Sequence, residues 1–137
     1  MIVSWNWLKQ YVRLDMPVEE LENRLMMAGL NHEGTTEVEG DLAVDLEVTS
    51  NRPDWLGHLG VAREVAVLFG GELKIPPADP AESGTGVGEL TKVAVECPAL
   101  CPRYIARVIQ GVKIAESPIW MRRRLKTLGI AAIRNAR

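Results

Sequence analysis

The chain has 137 residues, of which 47% are hydrophobic and 25% charged, a composition typical of a globular rather than a disordered protein. No apolar stretch approaches the ~18 residues of a membrane span, and the first residues lack the basic start and long apolar core of a signal peptide. We therefore expect a cytoplasmic protein without a membrane partner. The net charge of −2 is unevenly distributed: residues 1–90 carry 6 Lys+Arg against 16 Asp+Glu, and residues 91–137 carry 10 against 2. The two halves either neutralise each other, or the basic half meets an acidic partner or a nucleic acid.

The first 30 residues predict two helices. Ser4 is suited to cap a short helix with an apolar side. A second helix is predicted from Pro17, at its first position, to Gly29, which offers a left-handed stop. The apolar residues that recur at helical spacing are Trp5, Leu8 and Val12 in the first helix, and Val18, Leu21, Leu25 and Ala28 in the second.

A loop and a strand are predicted next. Residues 31–41 are polar, acidic and contain glycine, which predicts a loop. From residue 42 onward the apolar residues alternate with others, which is the period of a half-buried strand. The apolar set, expected to face the helices, is Leu42, Val44, Leu46 and Val48.

The tetrapeptide Asn51-Arg52-Pro53-Asp54 separates this strand from a third predicted helix that ends at a glycine pair. Pro53 disfavours the α conformation at Arg52, and Asn51 is suited to a turn. Asp54 is suited to cap the helix that follows. We interpret the tetrapeptide as a structural connector, with Arg52 as a candidate contact to a partner subunit or a phosphate.

Residues 74–90 are rich in proline and glycine and predict a linker. The linker divides the chain into a module over residues 1–73 and a second module over residues 91–137. The second module is predicted to contain one strand around Val93 and Val95, a strand over residues 104–112, a helix that Ser117-Pro118 opens and Gly129 stops, and an extended segment from Ile130 to Arg137. This last segment has no partner within the chain, so the second module looks cut short.

The basic residues of the second module suggest a contact surface. Its predicted helix has an apolar stripe of Met121, Leu125 and Leu128, which leaves the neighbouring arginines to face solvent or a partner. Without an aromatic stacking platform such residues are a weak signal for RNA, so pairing with an acidic protein surface is favoured. The candidate contacts to RNA or a partner are Arg52, Arg103, Arg107, Arg122, Arg123 and Arg124.

No residue pattern predicts catalysis or metal binding. Cys97 and Cys101 are two thiols where a zinc site usually needs four ligands, and His32 and His58 lie at unrelated spacings. The glycines of residues 84–88 follow no predicted strand and carry no P-loop lysine. We therefore expect no catalytic residue, no metal and no cofactor in this chain.

Four stretches resemble, in order and style, the N-terminal part of the bacterial phenylalanyl-tRNA synthetase beta subunit: SWNWLKQYV, LENRLMMAGL, LEVTSNRPDWLGHLGVAREVAVLFGG and CPRYIARVIQGVKIAESPIWMRRRLKTLGI. The resemblance implies an α+β fold, with a small α/β domain of helices packed on a short sheet over residues 1–73. Residues 91–137 would then be the truncated start of a second, editing-type α/β domain. It also implies an α2β2 complex with an alpha subunit, which attaches phenylalanine to tRNA using ATP and Mg²⁺ at a site in the alpha subunit.

The chain departs from this family in three respects. Only residues 31–41 stand where members often insert an oligonucleotide-binding barrel, Trp55 replaces the usual cysteine after the tetrapeptide, and the editing residues are absent. The fragment alone is therefore expected to be inactive. The alternative is a free-standing interaction module that binds an acidic protein or RNA through residues 91–137.

Overall fold

The computed structural model of the protein describes residues 1–82 and 84–134. Three strands form one antiparallel sheet in the order β1-β3-β2, and the helices complete a small α+β fold, as predicted. The elements in chain order are β1 (Ile2–Ser4), α1 (Trp5–Leu8), α2 (Val18–Met27), β2 (Asn31–Val38), β3 (Asp41–Glu47), a 3₁₀ turn (Pro53–Trp55), α3 (His58–Phe69), α4 (Val87–Leu90) and α5 (Ile119–Thr127).

The hydrophobic core lies where α1, α2 and α3 pack on one face of the sheet. Burial of these apolar side chains is the main favourable term for folding such a small unit. Trp55 is the largest fully buried side chain, and most of the predicted apolar positions join it. The buried core residues are Val3, Trp5, Leu8, Val12, Leu21, Leu25, Leu30, Val44, Leu46, Trp55, Val61, Ala62, Val65 and Ala66.

The local signals for helices and for β3 are largely confirmed. The Ser4 hydroxyl accepts a hydrogen bond from the Trp7 N–H at 3.0 Å, so Ser4 caps α1 as predicted. Helix α2 begins one residue later than expected, because Pro17 has extended dihedrals and is the residue before the helix rather than its first residue. Gly29 and Gly70 follow α2 and α3 with φ of +95° and +63°, the left-handed conformation that suits a helix stop.

The predicted loop over residues 31–41 is wrong, since most of it is β2. A two-residue turn of Glu39 and Gly40 joins β2 to β3, and both turn residues have positive φ. The residue pattern did not predict a strand here because β2 is an edge strand whose side chains are half-buried or exposed throughout. Its register is also irregular between His32 and Gly34. An alternating pattern is not required of such a strand. Strand β1 was not predicted, because three residues are too few to show a period.

The two strands predicted between residues 93 and 112 are wrong, since residues 91–118 contain no regular element. Their apolar side chains, such as Ile105 and Ile109, are exposed. A strand needs a neighbouring strand for its backbone hydrogen bonds, and the described part of the chain supplies none here. Helix α5 is confirmed, and Gly129 stops it with φ of +72°.

The start of α5 differs in detail from the prediction. Pro118 is the residue before the helix, and Ser117 does not cap it: the Ser117 hydroxyl is buried and finds no hydrogen-bond partner within the described residues. The apolar stripe predicted for α5 is only half-buried and does not join the core cluster. Residues 130–134 have no regular structure, and the rest of the predicted terminal segment, residues 135–137, lies outside the described residues.

Candidate functional site

The tetrapeptide of residues 51–54 lies between β3 and α3, and Arg52 holds it together. Its guanidinium lies over the Trp55 indole, 3.3 Å from the ring centroid, and its Nη2 donates to Asp54 at 2.8 Å and to Glu64 at 3.1 Å. These hydrogen bonds raise the pKa of Arg52, the bond to Asp54 most. Arg52 is therefore engaged by this chain's own groups, and the arrangement is that of a connector.

Asp54 does not cap the following helix, contrary to the sequence prediction. It lies inside the 3₁₀ turn, and α3 begins at His58 after Gly57 without a side-chain cap. The Asp54 carboxylate instead accepts hydrogen bonds from Arg52, which lower its pKa. The 3₁₀ turn separates Asp54 from the start of α3. The residue at the capping position of α3 is therefore Gly57, three residues after Asp54.

Trp55, the departure noted in the sequence, is an anchor of this connector. Its side chain is 1% exposed, and its Nε1 donates to the Glu64 carboxylate at 3.1 Å. Glu64 thereby accepts from both Arg52 and Trp55. Gly60 lets α3 approach this turn closely, because a Cβ there would lie 1.9 Å from the Asp54 carbonyl oxygen.

The remaining arginines predicted as contacts are scattered over the second half of the chain. Arg103 and Arg107 lie exposed in the irregular segment. Arg122 forms an ion pair with Glu116 at 3.3 Å, and both side chains are exposed. Arg123 lies in an open groove of about 610 Å³, lined by Glu39, Ile119, Arg122, Arg123, Lys126, Ile130, Ala131 and Ala132.

Arg124 is placed differently from its neighbours, since its guanidinium lies between two indoles. Its Cζ is 4.9 Å from the ring centroid of Trp7 and 4.9 Å from that of Trp120. The Trp7 indole could not be recognised as a partner of Arg124 from the sequence, because Trp7 is far away in the chain, and Trp120, four residues before Arg124, does not form a platform alone. Half-buried, Arg124 faces the first module rather than the solvent.

His58, at the start of α3, completes this aromatic cluster. Its ring stacks on Trp7 with 4.3 Å between ring centroids, and its Nε2 accepts a hydrogen bond from the Ser4 N–H at 2.9 Å. Burial lowers the pKa of His58 to about 4, with the positive charge of Arg124 acting in the same direction and Asp41 opposing it. His58 is therefore a neutral acceptor at pH 7.

Asp41, at the start of β3, accepts hydrogen bonds from residues of both modules. The sequence did not predict this role. Its Oδ1 accepts from the N–H groups of Asn6 and Leu42 at 2.9 Å, and its Oδ2 accepts from the hydroxyls of Ser4 at 2.6 Å and Thr127 at 3.0 Å. A carboxylate with four donors is strongly fixed. The only local hint was an aspartate at a turn, which is a common and unspecific pattern.

The contacts at these sites hold protein segments together. No group of three or more candidate metal ligands occurs in the described residues, and both cysteines are free thiols. No helix in the described part of the chain is long and apolar enough to cross a membrane. The aromatic, arginine and carboxylate groups are instead engaged with one another.

Comparison with known proteins identifies relatives of one kind. Over 135 residues, 98% of its length, the chain is 52% identical to the phenylalanine-tRNA ligase beta subunit of Rhodopirellula baltica, of which it spans 20%. It is 46% identical over 95 residues, 69% of its length, to the beta subunit of Anaeromyxobacter dehalogenans, of which the match spans 12%. It is also 46% identical over 90 residues, 66% of its length, to the beta subunit of Salinibacter ruber, of which the match spans 11%. No protein-family model and no solved structure matches the chain. The resemblance seen in the sequence is thereby confirmed.

Proposed function

We propose that this chain, a homologue of the beta subunits of bacterial phenylalanine-tRNA ligase, is the N-terminal part of such a subunit. Within that subunit it supplies structure and partner-binding surface but no chemistry of its own. The match over 98% of the chain carries the proposal. The parent assembly would be a cytoplasmic α2β2 complex that attaches phenylalanine to tRNA with ATP and Mg²⁺.

The irregular second half of the chain supports the proposal that this chain is part of a longer protein. Many of the large exposed apolar side chains lie between residues 93 and 114, including Leu100 and Ile109, which are 86% and 79% exposed. Large apolar side chains exposed in such number are normally covered by further protein. We propose that the rest of an editing-type domain covers it in the parent subunit.

The lengths of the relatives support a natural absence of the inserted barrel. The match to the Rhodopirellula protein includes nearly the whole chain and thus crosses the β2–β3 hairpin. Its 135 residues make up 20% of that protein, whereas 95 residues make up 12% of the Anaeromyxobacter protein, which is therefore the longer by about the size of a small domain. We propose that this chain and the Rhodopirellula protein share a short form, in which the tight hairpin replaces the barrel.

A segment exchange tests the proposed function. Residues 1–137 would replace the matching segment of the Rhodopirellula beta subunit, and the chimera would be co-expressed with the Rhodopirellula alpha subunit. We expect an assembled α2β2 complex, by mass photometry, that retains phenylalanine transfer to tRNA. A matched exchange carrying Gly60→Ala, which should strongly destabilise the segment and so reduce assembly, serves as the comparison. Failure of the unmodified chimera to assemble, with the segment folded, would refute the proposal.

A further inference from the structure

Helix α5 rests on a surface of the first module, which we call the docking surface and define as Trp7, Glu39 and Asp41. Arg124 stacks on Trp7, Lys126 forms an ion pair with Glu39, and the Thr127 hydroxyl donates to Asp41 at 3.0 Å. The hairpin tip brings Glu39 and Asp41 together, and the Ser4 cap places Trp7 beside them.

Helix α5 lacks the length, the N-terminal cap and the charge distribution that stabilise an isolated helix in water. It has nine residues, fewer than the ~12–15 at which isolated helices become even marginally stable in water. No side chain caps its N-terminus, and the Ser117 hydroxyl next to it is buried without a partner among the described residues. Three consecutive arginines and a lysine also crowd positive charge onto the helix.

Apolar packing replaces these missing contributions only in part, since Met121 and Leu125 are half-buried and lie outside the core cluster. Ile119 and Trp120 are 59% and 53% exposed, and Thr127 is the one buried residue of the helix. Thr127 is buried because it lies against the docking surface. On the same surface, Arg124 lies over the indole of Trp7 and Lys126 forms an ion pair with Glu39. The contacts that compensate the weak helix are therefore polar and concentrated in its last turn.

We propose that Trp7, Glu39 and Asp41 form a docking site for the last turn of α5, and that α5 is helical only while it is docked there. Residues 72–82, 84–86 and 91–118, which are irregular, belong to a tether that keeps α5 near the site. When α5 undocks, the helix unfolds, the half-buried Arg124 becomes exposed and Lys126 loses its ion pair with Glu39. The two modules are then joined only by the tether.

Amide hydrogen exchange on the whole chain tests this, with protection of the α5 amides as the readout and β3 amides as a check that the first module stays folded. Thr127→Val keeps the shape but removes the hydroxyl, which lies 3.0 Å from Asp41 and 3.1 Å from the Arg123 carbonyl oxygen within α5, and we expect about a tenfold loss of α5 protection. The matched control is Thr91→Val, at an exposed threonine outside the interface, which should change nothing.

A charge exchange separates docking from intrinsic helix strength. Glu39→Lys lies outside α5, so a loss of α5 protection of about threefold would have to act through the docking surface. The double variant Glu39→Lys/Lys126→Glu should restore most of that protection, and Lys92→Glu is the control for the change in net charge. If α5 protection is unchanged in both Thr127→Val and Glu39→Lys while β3 stays protected, the proposal is overturned.

Discussion

Gly60 lies where α3 passes the 3₁₀ turn, and it has no room for a side chain. A Cβ at this position would lie 1.9 Å from the backbone oxygen of Asp54 and 3.1 Å from the Trp55 Cα, so either the helix or the turn must move. We expect Gly60→Ala to lower the free energy of unfolding by about 3 kcal/mol. Urea unfolding followed by far-UV circular dichroism measures the change. Gly88→Ala, in α4 with open space around it, is the matched control and should be neutral.

His58 gives the fold a defined pH dependence. Its pKa is lowered in the folded chain to about 4, from an ordinary value of 6.5, so the unfolded chain binds more protons between these values. The stabilisation is complete above pH 6.5 and is lost as pH falls toward 4. Protonation would also remove the lone pair that accepts the Ser4 N–H. Allowing for partial solvent screening, we expect a loss of about 1 kcal/mol between pH 7 and pH 5.

Urea midpoints measured at pH 7 and pH 5 test this dependence on His58. In His58→Gln the amide oxygen can still accept the Ser4 N–H but does not titrate in this range. The difference between the two midpoints should therefore shrink in this variant. An undiminished difference would assign the pH effect to other groups.

At the scale of elements, the β2–β3 hairpin depends on its two-residue turn. Gly40 has φ of +78° and Glu39 has φ of +51°, the left-handed pair of a type I′ turn. We expect Gly40→Ala to cost about 1 kcal/mol in the free energy of unfolding, because a Cβ is disfavoured at this φ although no neighbour obstructs it. The midpoint of thermal unfolding measures the loss. Gly84→Ala, in the irregular linker, should leave it unchanged.

Elements were predictable where their signals are local. Capping by Ser4, the stops at Gly29 and Gly70 and the alternation of β3 all depend on neighbouring residues, and all are confirmed. Strand β2 could not be recognised, because an edge strand with an irregular register shows no clean period. Beyond residue 91 the apolar residues do follow the pattern of strands. The described residues contain no neighbouring strand with which such strands could pair.

The candidate sites were less predictable than the elements, since they join distant parts of the chain. Asp41 and Thr127 are 86 residues apart in sequence, and Arg124 meets Trp7 across a similar separation. Residue type predicted that the arginines would contact phosphate or acidic groups, but neither the aromatic partners nor which of the arginines would bind groups of this chain. Arg52 and Arg124 are engaged internally, whereas Arg103 and Arg107 remain on the surface.

At the scale of the whole molecule, the charge asymmetry is partly neutralised within the chain. Lys126 of the basic half forms an ion pair with Glu39 of the acidic half, and Arg124 lies over the indole of Trp7 in the acidic half. The hydrogen bond from Lys126 lowers the pKa of Glu39, as expected for an opposite charge held close. Internal pairing therefore reduces the basic surface that an external polyanion can reach.

We accordingly expect this chain to bind tRNA weakly and with strong salt dependence. Arg103 and Arg107, two of the exposed arginines, would contribute about two phosphate contacts, which together predict about a tenfold loss of affinity between 50 and 200 mM salt. Fluorescence anisotropy with labelled tRNA measures the binding. Arg103→Glu/Arg107→Glu should clearly reduce this salt dependence, whereas Arg124→Gln should not, because Arg124 is held by the indoles of Trp7 and Trp120. Tight binding that survives 200 mM salt would show instead that RNA recognition here does not depend on these exposed charges.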